Sequence, residues 1–287
     1  VKAERGYRVL TRRSADYPAL LDAIHDPPKR LYLRGDGSPR LLSCPVVAIV
    51  GTRSCSPYGA QVARRLGREL AAAGAVVVSG LARGIDAEAH RGALEGEGAT
   101  VAVLGCGIDR DYPRAHSALA QRIAAGGLLI SEYEPGTEPA PWRFPARNRI
   151  IAGLARVTII VEARARSGAL ITADFALEEG REVFAVPGEI TSALSRGTNE
   201  LLRLGAAPLV EPEDVIDALG LEKAPAPRAI RLSEEASRVR ELLADRSASV
   251  DDLVGKSGLA ADAVAAALVE LELTGEAVCA EGVYRLH

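Results

Sequence analysis

From residue 44 onward the chain repeats one pattern. A short apolar run is followed by a glycine-bearing loop and then by a stretch with apolar residues at helical spacing. The runs are 46–50, 75–79, 100–104, 128–131, 157–161, 182–186 and a weaker 207–210. They are rich in Val and Ile and do not alternate with polar residues, which is the signature of strands covered on both faces. Between them, "GAQVARRLGRELAAAG" (59–74) and "ALITADFALEEG" (169–180) gather apolar residues on one helical face and stop at glycine. Strand–helix alternation of this kind predicts an α/β fold with a doubly wound parallel sheet.

The flanks read differently. Residues 1–43 suggest a short helix, a Pro-Pro break and an extended piece, together a leader packing on the core domain of 44–219. Residues 220–230, "GLEKAPAPRAI" with the preceding helix end, lack periodicity and read as a linker. Over 231–287 three helical stretches precede two short strands, which predicts a small C-terminal winged-helix domain.

Composition narrows the class. Hydrophobic residues are 48% of the chain but aromatics only 4%, so the core is aliphatic. The longest stretch without charge, 70–82, has 13 residues, short of the roughly 20 that span a bilayer. No secretory signal opens the chain, and its first residue, Val1, suggests a trimmed start. Cys44, Cys55, Cys106 and Cys279 are scattered, and the four histidines show no metal-ligand spacing. Reduced thiols in a cytoplasmic protein without metal or cofactor are the expectation. The net charge of −3 hides an asymmetry: residues 1–210 carry 27 basic and 22 acidic groups, residues 211–287 carry 8 and 16. A nucleic-acid partner would therefore belong to the first part.

Ligands of an open parallel sheet bind outside the carboxyl ends of its strands. The loops expected there are 51–57, 80–84, 105–114, 131–149, 162–168 and 187–198. Each holds arginine, ten of the 18 arginines of residues 44–210 in all, while the opposite loops are nearly bare of positive charge. Seven acids on the same edge lower its balance to +3. A row of guanidinium groups suits a polyanion better than a small cofactor. Several of these loops also open helices through Gly, Ser or Pro (Ser56-Pro57, Gly84, Gly168, Gly197-Thr198), where free amides and the helix dipole attract phosphate.

The stretch "APWRFPARNRIIAG" (140–153) interleaves Trp142 and Phe144 with Arg143, Arg147 and Arg149. Two readings stand. Rings for unstacked bases and guanidinium groups for phosphates would bind a single strand. Alternatively, the rings plug the sheet edge and the arginines pair with Glu132, Glu134 and Glu138. Enzyme signatures fail: "GCGIDR" lacks the third glycine of a dinucleotide fingerprint, and "GKS" (255–257) has Val250 where a phosphate loop needs Gly. Asp86 and His90 stand four apart and can share a helix face, with a structural hydrogen bond as the simpler role. The third helix of the last domain, "AADAVAAALVELELTG", has no basic residue, so groove reading of duplex DNA is not expected there. A protein contact or regulatory role fits it better.

The ordered series "VAIVGTRSCSPYG", "VSGLARGIDAEAHRGAL", "VLGCGIDRDYP", "SEYEPGTEPAPWRFPARNRIIAGL", "IIVEARARSGALITADFALEEGREVFAVPG" and "GTNELLRLGA" resembles the DprA (Smf) family of bacterial DNA-processing proteins, without a gap over about 46–210. The resemblance implies an extended Rossmann fold that binds single-stranded DNA, protects incoming strands in natural transformation and competence, and loads RecA for homologous recombination. It further implies a homodimer formed through the Rossmann domain, and no catalysis. Carried onto this sequence, the DNA-binding residues would be Gly51, Thr52 and Arg53; Ser79, Gly80, Arg83 and Gly84; Phe144, Arg147, Asn148 and Arg149; Ser167 and Gly168; and Gly197, Thr198 and Asn199. Many members carry a helical domain ahead of this segment, in keeping with a trimmed start. The competing expectation is a Rossmann-type enzyme such as a nucleoside-monophosphate phosphoribohydrolase, whose PGGxGTxxE signature is only partly met. In "PGEITSALSRGTNE" nine residues separate Pro187 from Gly197, and the acid follows too early.

Overall fold

The computed structural model describes residues 6–222, 232–244, 246–280 and 282–286. Two compact units divide the chain, Val1–Ala224 and Pro225–His287. Most of the segment expected as a linker, from residue 223 to 230, lies outside the described residues.

In the first unit, Arg8–Thr11 (β1), the four-residue helix Ala19–Asp22 (α1) and Arg30–Arg34 (β2) precede the alternating part. There follow Val46–Val50 (β3), Pro57–Ala72 (α2), Val76–Ser79 (β4), Ile85–Glu95 (α3), Thr100–Val103 (β5) and Ser117–Gly126 (α4). Next come Leu128–Ser131 (β6), Arg143–Leu154 (α5), Val157–Ile160 (β7), Gly168–Glu178 (α6), Glu182–Ala185 (β8), Arg196–Arg203 (α7), Ala207–Pro208 (β9) and Pro212–Leu219 (α8). The sheet order is β1-β2-β6-β5-β4-β3-β7-β8-β9. From β6 to β9 every pairing is parallel. The chain winds outward from β3 in both directions, so the order reverses between β3 and β7.

The leader is more than a packing segment. β1 and β2 join the sheet as an antiparallel edge, with Tyr32 opposite Ser131 and Leu33 opposite Ile130. Only five-residue and four-residue runs are involved, flanked by Arg30 and Arg34, and such runs carry little periodic signal. Their inward side chains Leu10, Leu31 and Leu33 still join the core.

Alternate strand residues feed opposite faces. Val46, Ala48, Val50 and Val78 pack with Ile150, Ile151 and Leu154 of α5 and Ala173 of α6. Val47, Ile49, Val77 and Ile159 pack with Leu66 and Leu70 of α2 and Ala89 and Ala93 of α3. Burying each such Val, Leu or Ile side chain contributes about 1.5–3 kcal/mol. The sheet is thus the middle of three layers, which explains strands without polar alternation.

The second unit contains Glu234–Ala244 (α9), Ala248–Ser249 (β10), Val250–Ser257 (α10), Ala261–Leu273 (α11), Ala277–Ala280 (β11) and Val283–Leu286 (β12). Its three-stranded antiparallel sheet runs β10-β12-β11. Leu253, Val264, Leu268 and Leu271 form its own core. Three helices with this small sheet make a winged helix.

Candidate nucleic-acid interface

The topology brings the loops after β3, β4, β5 and β7 to one rim, with the order reversal between β3 and β7 at its centre. A furrow opens there as two adjoining cavities. The first, about 330 Å³, lies over the reversal and is lined by Gly51, Thr52, Arg53, Arg164, Arg166 and Ser167, among others. The second, about 410 Å³, lies over the ends of β4 and β5 and is lined by Gly80, Arg83, Gly105 and Tyr112. Arg53, Ala82, Phe144 and Arg147 belong to both walls.

Phe144 divides the two chambers. Its ring stacks on that of Tyr112 with centroids 5.3 Å apart and planes at 23°. The Arg53 guanidinium lies 5.4 Å from the same ring centroid. Among the described residues, no carboxylate lies within ion-pair distance of Arg53, Arg83, Arg164 or Arg166, and all four side chains are exposed. Their charge is therefore uncompensated at the furrow.

Beneath the lip the same chemistry is compensated. Arg147, 5% exposed, donates to the carbonyls of Gly80, at 2.6 Å, and of Val103, and its Nε–H reaches Asn148 Oδ1. It thereby ties the ends of β4 and β5 together. Asp86 stands 3.9 Å away and accepts the amides of Gly80 and Ala82. Burial pushes the Asp86 carboxyl up and the Arg147 guanidinium down, and each partner's charge opposes that shift in the other. A Cβ at position 80 would stand 2.0 Å from Arg147 Nη2, so glycine there makes room for the guanidinium. The turn that follows holds Leu81 at φ 56°, a conformation costly for a residue with a side chain. His116 Nδ1, 2.9 Å from the Leu81 carbonyl, helps hold it.

Asp86 and His90, expected on one helix face with a structural hydrogen bond, each make one, but to other partners. His90 Nδ1 lies 2.7 Å from Thr100 Oγ1, whose own hydrogen goes to the Val77 carbonyl. His90 therefore donates from Nδ1, and its Nε2 has no partner among the described residues. Burial, with the nearby charges of Arg147 and His116, pushes its pKa down to about 3.

The expected residues divide. Gly51, Thr52, Arg53, Gly80, Arg83, Phe144, Arg147, Asn148, Ser167 and Gly168 line the furrow. Ser79 is fully buried and donates to the Ile49 carbonyl. Gly84 caps α3 with φ 73°. Thr198 is buried and donates to the Ser195 carbonyl, Gly197 N–H donates to the Ala163 carbonyl, and Asn199 bonds both the amide and carbonyl of Gly188. Arg149 turns to Glu132, at 2.7 Å, and to Asp26, at 3.0 Å. It leaves the furrow because two carboxylates satisfy it elsewhere.

Helix starts also differ from expectation. The start of α2 is filled from within: Glu162 accepts the Ser56 amide and hydroxyl. Gly197 N–H at α7 is used by the Ala163 carbonyl. The start of α6 does face the first cavity through Ser167, Gly168 and Ala169. Burial pushes the Cys106 thiol up to about 11, so this sulfur stays protonated.

Comparison with known proteins settles the family. The family model for DNA recombination-mediator protein A matches residues 8–220, and the one for the DprA winged helix domain matches 222–282. The chain belongs to the DprA family. It is 47% identical to the DNA processing protein DprA of Streptococcus pneumoniae over 204 residues, 70% of each chain. It is 39% identical to the protein Smf of Escherichia coli over 289 residues, covering 97% of this chain and 77% of that one. Its fold superposes on a Helicobacter pylori DNA processing protein A solved for its single-stranded DNA binding mode. The TM-score is 0.67 at 38% identity, over 76% of this chain and 98% of that one.

Within this DprA chain, Tyr112 is a furrow residue that the expected binding set omitted. "RDYP" sits in a rim loop, so the position was visible, but its stacking on Phe144 depends on loop paths that spacing does not encode. Arg164 and Arg166 were visible as rim arginines, and the structure adds that they face the first cavity.

Proposed function

We propose that this chain binds single-stranded DNA along the carboxyl-rim furrow and acts as a recombination mediator. It would protect incoming strands in natural transformation and load RecA onto them, in the cytoplasm, as a homodimer formed through its Rossmann unit. One observation carries the binding reading. Four exposed arginines, without carboxylate partners among the described residues, surround two joined cavities that share the Phe144 ring as a wall. Phosphates take the guanidinium groups and the open start of α6. Unstacked bases take the rings. The contacts proposed for the strand are Gly51, Thr52, Arg53, Gly80, Arg83, Phe144, Ser167 and Gly168, with Arg147 and Asn148 holding the floor. The likeness to the H. pylori protein supports the single-strand reading, and the match to the family model for DNA recombination-mediator protein A supports the mediator role.

No catalysis is assigned to the site. The buried Asp86 is taken up by two amides and Arg147, and the Cys106 thiol is protonated. The test compares labelled single-stranded and duplex oligonucleotides by fluorescence anisotropy over a salt series. Expected are a preference for the single strand and a log K that falls with log salt by about 0.7 per phosphate contact. Equal affinity for both forms, or a flat salt response, would remove the proposal. RecA loading is tested by the rate of RecA filament growth with and without the chain. Release of free base from nucleoside monophosphates would instead favour an enzyme.

A further inference from the structure

A second cluster of rings and guanidinium lies beside the furrow. Trp142, the chain's one tryptophan, stands at the start of α5 and is 63% exposed. The Arg143 guanidinium lies 4.8 Å from the Trp142 ring and 5.2 Å from the Tyr133 ring. Trp142 and Tyr133 meet edge to face at 6.4 Å. Arg143 Nη1 also donates to the Glu138 carbonyl, which fixes the guanidinium from a third side.

The acids of this region are engaged elsewhere. Glu132 holds Arg149, Glu134 lies 3.4 Å from Arg30, and the Glu138 carboxylate holds Arg110 at 2.7 Å. Among the described residues none lies within ion-pair distance of Arg143. The cluster therefore combines a fixed, exposed indole with a positive charge that only π faces and a carbonyl partner. An indole left in water forgoes its own burial, about 25 cal/mol for each Å². Holding it rigid lowers the ordering cost for whatever later covers it.

Its place in the sheet identifies the occupant. Across the rim the strand order is β7-β3-β4-β5-β6. The first cavity covers the ends of β7 and β3, and the second covers those of β4 and β5. Tyr133 follows β6, the next strand along. The cluster continues the furrow by one strand, about 4.8 Å further. Phe144, two residues after Trp142, is the dividing ring of the furrow itself.

We propose that Trp142, backed by Arg143 and Tyr133, is a second stacking platform that takes an unstacked base of the strand where it leaves the furrow. The inference rests on the single-strand reading above. Because Trp142 is the only tryptophan, its emission reports the contact directly.

The full chain is titrated with single-stranded oligonucleotides of increasing length and with a blunt duplex. Long single strands should quench Trp142 emission, and duplex should not, because its bases are already stacked. Trp142→Ala should weaken long-strand binding about 5- to 150-fold, the loss of one stacked base. Trp142→Phe should keep most of the affinity. The salt slope should stay unchanged in both variants, since no phosphate contact is lost. Strands short enough to fill only the furrow should bind wild type and Trp142→Ala alike. Unchanged emission on tight binding, equal quenching by duplex, or full affinity in Trp142→Ala would overturn the platform. If Arg53→Ala still weakens binding in that case, the furrow stands alone. If no oligonucleotide binds at all, both readings fall. The wild-type emission arm decides even where a variant proves unstable.

Discussion

Arg53 and Arg149 leave the same edge of the sheet and end in opposite circumstances. Arg53 is exposed, lies against the Phe144 ring and meets no carboxylate among the described residues. Arg149 has a side chain 15% exposed, held by Glu132 and Asp26. The same division runs through the whole region. Arg83, Arg164 and Arg166 share the state of Arg53 on the lip, while Arg147, on the floor, is compensated as Arg149 is outside the furrow. Charge that the fold has already neutralised contributes to stability. Charge left without a partner is available to a ligand. The two sets should therefore respond to different measurements, compensated residues to unfolding and lip residues to binding.

Acid should act first on the buried imidazole of α3. His90 has a folded pKa of about 3, below its ordinary 6.5. Between those values the unfolded chain binds a proton that the folded chain does not. The contribution of the neutral imidazole is complete above pH 6.5 and is lost as pH falls towards 3, about 4–5 kcal/mol in all. Urea midpoints measured between pH 7 and 4 should fall more steeply in wild type than in His90→Gln, which cannot charge. Asp86, raised by burial, works in the opposite sense but is common to both proteins. Equal acid slopes would mean that His90 is not sealed from water.

Arg149→Ala should come next. It strands a partly buried Glu132, at about 2–4 kcal/mol once the exposed Asp26 arm is discounted. The melting temperature should drop, while the salt slope of oligonucleotide binding stays that of wild type. A change in that slope would put Arg149 among the phosphate contacts. Arg53→Ala should reverse the pattern. Loss of one charge-assisted contact removes about 1.5–3 kcal/mol of binding and about 0.7 from the salt slope, with thermal stability unchanged. Unfolding without loss of affinity would place Arg53 with the floor.

The sheet was legible because buried parallel strands and their helices carry long, consistent apolar patterns. The rim was legible for the same reason, since strand ends define it. Two kinds of feature were not. β1 and β2 are short and flanked by arginine; β1 pairs only with β2, and β2 joins the sheet through β6, about a hundred residues away. Compensation was also hidden. "EYEPGTEP" shows that acids lie near the rim arginines. It does not show that Glu132 meets Arg149, that Glu138 meets Arg110, or that Arg143 meets only rings and a carbonyl. Partner choice among side chains a few ångströms apart is fixed by packing, whereas spacing only limits it. The filling of the α2 start by Glu162 belongs to the same class, because a residue after β7 satisfies a helix that begins after β3.

Arg110 tests whether compensation itself divides lip from floor. It sits in a rim loop, and its side chain is 37% exposed against 70% for Glu138, its partner at 2.7 Å. An exposed pair of this kind is worth about 0–1 kcal/mol, so Glu138→Gln should leave stability nearly unchanged. The substitution keeps the Glu138 backbone carbonyl that accepts from Arg143, so the Trp142 cluster stays in place. It frees the Arg110 guanidinium, two residues from Tyr112 of the second cavity's lining, of its carboxylate and leaves its bond to the Gly136 carbonyl. If an uncompensated charge is what the strand recognises, single-strand affinity should rise by about twofold at low salt. The gain should fade as the Debye length falls below about 10 Å. Arg110→Ala leaves Glu138 unpaired at the rim and should lower affinity by a similar factor under the same conditions. Both variants behaving like wild type at every ionic strength would mean that position along the rim, and not freedom from a carboxylate, selects the binding arginines.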